Sequence, residues 1–90
     1  MKIFKYPIKT VDTQVVQIPK SAKILCVQTQ FEKPCMWALV DEESTDKSTR
    51  TLAVHGTGHP IYGVEHKEYI GTYQLREGQL IFHVFEIVNV

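Results

Sequence analysis

The sequence predicts a mostly β domain, a small antiparallel sandwich or partly open barrel of six or seven strands with one long loop containing glycine and histidine. Three observations carry this reading. Apolar residues recur at every second position in several stretches, turn-forming residues separate those stretches, and no segment holds a helical stripe for about ten residues. Ninety residues give room for one core, so residues 1–90 read as a single domain.

The first strand is Lys2 to Ile8, with Ile3, Lys5 and Pro7 on one side and Phe4, Tyr6 and Ile8 on the other. Pro7 lacks a backbone N–H, which places this strand at an edge or near its end. Gln14 to Ile18 is the second strand, closed by Pro19. Ala22 to Phe31 alternates Ile24, Cys26, Gln28 and Gln30 against Leu25, Val27, Thr29 and Phe31, and Glu32 and Lys33 form its tight connection to the next strand. That fourth strand, Pro34 to Asp41, carries Cys35, Trp37, Leu39 and Asp41 on one face and Met36, Ala38 and Val40 on the other. The two make a central hairpin.

A charged, solvated loop, Asp41 to Arg50, leads into the fifth strand, Thr49 to His55. Gly56 to Lys67 has three glycines, a proline and two histidines without a sustained period, and reads as a long loop with room for one helical turn. Tyr69 to Leu75 and Gln79 to Val88 then bracket Arg76, Glu77 and Gly78, a hairpin in which Gly78 takes the left-handed position.

Ten basic and ten acidic residues leave no net charge, so the chain offers no basic footprint for duplex DNA and no acidic excess that would mimic nucleic acid. No apolar run approaches the roughly 20 residues that span a bilayer. Cys26 and Cys35 follow no basic-then-apolar leader, which predicts a cytoplasmic protein with free thiols. A chain this small gains buried surface by pairing with itself, so a homo-oligomer is expected.

The candidate site is the segment His55 to Pro60, HGTGHP. Gly56 and Gly58 let the backbone turn sharply and approach a ligand, while Thr57 and His59 supply polar groups at the same place. One reading is a turn leaving the fifth strand, stiffened by Pro60. Another is an anion nest of backbone amides, although neither a phosphate-loop lysine nor the helix that a dinucleotide fingerprint needs is present. A third brings His55 and His59 to a metal with His66 or His83, but the glycines and Pro60 oppose the helix that would align two rings at this spacing. His83, on an apolar strand face, reads as a hydrogen-bonded core or interface residue. Glu86, on the other face with Phe82 and Val84, must lie at the rim or be paired. Without clustered lysine or arginine beside them, Trp37 and the tyrosines read as core or interface rings rather than a platform for bases. No cofactor and no catalytic set is expected.

The stretches AKILCVQTQ, PCMWALVDE, GTGHPI, YIGTYQL and LIFHVFE, in this order, resemble a family of small uncharacterised proteins of tailed phages and prophage regions. In that family the residue before the first glycine is often aromatic or aliphatic, so His55 departs from the pattern and His59 matches it. The resemblance implies a compact phage accessory protein and carries no activity or catalytic residues across. The expectation is a non-enzymatic binder of a host protein or a small anionic, nucleotide-like host signalling molecule, possessing a contact loop of Gly56, Thr57, Gly58 and His59 with Trp37 as anchor. The alternatives are a virion or assembly component, self-associating through edge strands and the tail Ile87, Val88 and Val90, and a metal-dependent hydrolase.

Overall fold

Because successive side chains on a strand point to opposite sides, each strand here divides between one shared core and an outer face. The computed structural model describes residues 1–88; Val90 of the apolar tail lies outside them. Among the described residues seven strands form: β1 (Lys2–Pro7), β2 (Thr13–Pro19), β3 (Lys23–Gln30), β4 (Lys33–Val40), β5 (Lys47–Gly56), β6 (Lys67–Leu75) and β7 (Leu80–Ile87), with one 3-10 turn at Val64–His66. They make a three-stranded sheet in the order β1-β4-β3 and a four-stranded sheet in the order β2-β5-β7-β6, every pairing antiparallel. The architecture is therefore two antiparallel sheets about one core, with no closed barrel. Strands β1 and β2 pair on one side only, and Pro7 ends the edge strand β1 as its missing N–H requires.

Met36, Ala38 and Val40 of β4 are fully buried and meet Ile18, Val27, Leu52, Val54, Tyr73 and Val84 from the remaining strands. Thr10, in the β1–β2 connection, closes one end of this core through a 2.6 Å hydrogen bond between its hydroxyl and that of Tyr73. At the other end Arg50 bonds the Glu86 carboxylate at 2.9 Å and the Ala22 carbonyl at 2.8 Å. Glu86 thus meets the need for a partner that its apolar face imposes.

The two sheets come side by side where β3 meets β6. Each of these strands carries a bulge there, between Ile24 and Cys26 in β3 and between Tyr69 and Gly71 in β6. A bulge inserts one residue and shifts the alternation, so Ile24 and Val27 both face the core, whereas strict period two assigns them to opposite sides. Gly71 is the point of closest approach. A Cβ on it would lie 3.1 Å from the Val27 side chain, 3.2 Å from its nitrogen and 3.3 Å from its carbonyl oxygen.

Two turns differ from expectation. Gln30 pairs with Lys33, so the β3–β4 connection is Phe31 and Glu32 rather than Glu32 and Lys33. Both take positive φ, 52° and 65°, the pair of left-handed residues that matches hairpin twist and that Asn-Gly normally supplies. Between β6 and β7 the turn extends over Arg76 to Gln79; Gly78 is left-handed as expected, and Arg76 and Glu77 are as well. The backbone N–H of Arg76 donates to the Glu32 carboxylate at 3.0 Å, tying the two hairpin tips together.

Gly71→Ala is expected to cost about 2 kcal/mol through overpacking, a fall in Tm of roughly 10 °C for a domain of this size. Thermal unfolding followed by circular dichroism checks it; an unchanged Tm would mean the sheets do not depend on this approach.

Candidate functional site

Strands β5 and β6 flank β7, and both run antiparallel to it, so they are parallel to each other. A parallel connection cannot be a tight hairpin. The chain leaves β5 at Gly56, opposite Phe82, and enters β6 at Lys67, opposite Ile87. It must travel five residue steps back along β7, about 17 Å at the rise of a strand. The segment Thr57 to His66 makes that journey as a strap, and every one of its residues is exposed.

Its beginning is a turn in which the His59 amide donates to the Gly56 carbonyl at 3.1 Å, with Gly58 at φ 87°. The left-handed third position is what a type II turn requires and what glycine supplies without strain. Gly56 has a different task. A Cβ there would meet the His59 imidazole at 3.0 Å, so the missing side chain is the seat of that ring. Thr57 pins the turn to the sheet through its hydroxyl, 2.7 Å from His83 Nε2, and through its amide, 3.3 Å from the Ile81 carbonyl.

On the outer face of the four-stranded sheet these bonds continue as a chain. His83 Nδ1 lies 2.9 Å from the Thr72 hydroxyl, which is 2.6 Å from the Tyr69 hydroxyl. Hydroxyls both donate and accept, so His83 keeps both partners whichever ring nitrogen carries the proton. This histidine is a hydrogen-bonded fixture of the sheet, as its setting suggested.

The second half of the strap is held by its ends. Lys67 donates to the Tyr62 carbonyl at 2.8 Å, and its ammonium also reaches His55 Nε2 at 3.4 Å. The Val88 amide donates to the His66 carbonyl at 2.7 Å. His55 lies opposite His83 in register and meets the Phe85 ring edge-on at 5.8 Å. Burial holds its pKa below the ordinary 6.5; the Lys67 cation and His83 push the same way, and Asp12 opposes them.

A hollow of about 380 Å³ lies between the strap and the β1–β2 connection, with Asp12, His55, His59 and Lys67 among its lining residues. A second, of about 290 Å³, opens on the far side of His59 toward Leu80 and Phe82. The structure therefore brings Gly56, Thr57, Gly58 and His59 together. Trp37 is elsewhere: it sits on β4 in the other sheet, opposite Lys5 and Cys26, and lines neither hollow. Among the described residues no group of three or more histidine, cysteine or acidic side chains could hold a metal ion.

Sequence reasoning missed Lys67, Asp12 and the Thr72–Tyr69 extension, all of which reach the site across strand order rather than along the chain. The family comparison covers this whole arrangement, matching a domain of unknown function (DUF7352) over residues 1–89. The chain belongs to that family. No curated protein and no solved structure matches it. The family spans both sheets and the strap, so the strap is part of the domain and not an appendage to it. Both cysteines are free, Cys26 facing Trp37 and Cys35 facing Gln28 in the register. Among the described residues no helix is long and apolar enough to cross a membrane.

The lowered pKa of His55 has a definite sign in folding. Unfolded His55 takes up a proton more readily than folded His55, so its contribution is complete above about pH 6.5 and is lost as pH falls toward the lowered value. Titration of the histidine ring signals by NMR should place His55 below 6.5, and Lys67→Met should move it up; a midpoint at or above 6.5 in the unsubstituted protein would contradict the burial of the ring beside Lys67.

Proposed function

We propose that the protein acts by binding rather than catalysis, as a phage-type accessory protein that docks on a host protein through the strap from Gly56 to Lys67. The observation that carries this is a strap pinned at both ends yet exposed along its length. Ile61, Tyr62 and Val64 present apolar surface there, with Tyr62 79% exposed. A contact element already held in place loses little freedom on binding, which is where affinity is otherwise spent. The apolar exposure favours a protein over a small anionic molecule, since an exposed tyrosine is a characteristic anchor of protein interfaces.

The hydroxyls of Thr57 and Thr72 are bonded to one imidazole, a use of His83 that holds the strap on the sheet and supports the binding reading. A cytoplasmic setting in the host accords with the free thiols.

One observation favours a second reading, that of an assembly component. Strands β1 and β2 each leave an edge unpaired, and Ile3 on β1 and Val15 on β2 are exposed beside those edges. Self-association by strand pairing would use them. Light scattering after size exclusion separates the readings: large or open-ended assemblies favour this one, while a monomer or small closed oligomer favours the binder.

For the first reading, the immobilised protein should capture a host polypeptide from bacterial extract. Tyr62→Ala should weaken that complex by about 2 kcal/mol, or roughly thirtyfold. Gly56→Ala combined with His59→Ala should abolish it without lowering Tm, because the imidazole that the added methyl would meet is itself removed. Capture unchanged by both variants would remove the strap from the proposal.

A further inference from the structure

Trp37 has no part in the strap, and its actual surroundings suggest a second surface. On the outer face of the three-stranded sheet, alternation places Lys5 of β1, Lys23 of β3, and Lys33 and Trp37 of β4 on one side. Lys5 lies directly opposite Trp37, and Lys23 opposite Leu39. No acidic residue occurs on β1, β3 or β4. The acids around it lie past the strand ends or on the neighbouring sheet, where Glu68 and Glu86 share a hollow with Lys23. Glu32 accepts from the Arg76 amide, and Asp41 and Glu42 follow β4, Glu42 being paired with Lys2. A chain with no net charge therefore carries a local cationic face that sequence order conceals, because its lysines come from three separate strands.

Phe31 completes this face. It stands at the β3–β4 tip with φ 52° and is 91% exposed. A bulky residue in the left-handed region costs folding energy, and an exposed aromatic ring recovers none of it by packing. Beside it a hollow of about 470 Å³ is lined by Lys5, Pro7, Gln30, Lys33 and Cys35 as well as Phe31 itself. The Lys5 ammonium bonds the Gln30 side chain across this hollow, over buried Cys35. From the level of Cys26, opposite Trp37, to Phe31 is five residue steps along the hairpin, about 17 Å.

We infer that this face, from Trp37 to Phe31, binds single-stranded nucleic acid. Two aromatic rings spaced along one sheet face suit stacked bases, Lys5 and Lys33 suit the phosphates between them and Lys23 one beyond Trp37, and Gln28 and Gln30 offer amide groups to base edges. An acidic protein segment would use the same lysines but gives no reason for a strained, solvent-exposed ring at the tip. Duplex DNA is not the ligand, since its bases are already stacked and offer the rings no free face.

The chain has one tryptophan, so its emission reports the proposed stacking directly. Titration with an oligodeoxythymidylate of about twelve nucleotides, a length small β domains cover, should quench Trp37 saturably at low salt. Three lysines imply a slope of log K against log salt of about −2. Phe31→Ala should weaken binding about tenfold with Tm unchanged, and Lys5→Glu with Lys33→Glu should abolish it. Absence of quenching, or quenching indifferent to these variants, would overturn the inference. So would equal binding of polyglutamate of similar length, which would assign the face to an acidic protein segment.

Discussion

The insertion of β7 between β5 and β6 is the constraint on which the rest of the molecule turns. It makes β5 and β6 parallel neighbours-but-one, and a parallel pair cannot be joined by a short turn. The chain must cross the outer face of the larger sheet, and its backbone there has no strand partner. Thr57 to His83, Lys67 to Tyr62 and Val88 to His66 are the bonds that replace a ladder. The glycine-histidine segment is thus shaped by topology first: Gly58 makes the turn away from β5, and Gly56 makes room for His59 at its foot.

A second constraint joins the sheets. Paired bulges in β3 and β6 bring these strands together at Gly71, where backbone and side chain of Val27 leave no space for a methyl group. This contact carries the three-stranded sheet alongside the four-stranded one and, by tying the hairpin tips through Glu32 and Arg76, fixes where Phe31 projects. The two proposed surfaces belong to opposite sheets, the strap to one and the lysine face to the other, and neither blocks the other.

Much of this was legible in the sequence. Period two identified all the strands, Pro7 marked an edge, Met36, Ala38 and Val40 declared the buried face of β4, and Gly78 declared its turn. The bulges were not legible, because one inserted residue leaves no compositional sign; Ile24 and Val27 look out of phase until the structure shows Leu25 between them. The β3–β4 turn slipped by one residue because Phe31 and Glu32 occupy positions where glycine or asparagine would have announced themselves. At the site, Thr57 and His59 were visible as a polar pair, but Lys67, Asp12 and His83 arrive there through strand order. Trp37 was joined to the loop only by its chemistry, and strand order separates them.

The bonds at its two ends hold the strap in one arrangement before any partner arrives. Amide hydrogen exchange resolved by NMR on the free protein tests it most directly. Protection at Thr57, His59 and Val88, whose amides bond Ile81, Gly56 and His66, alongside rapid exchange at Ile61 and Tyr62, is the expected pattern. Exchange at unprotected rates in all five would show a strap that moves freely, and a preorganised contact element would no longer describe it.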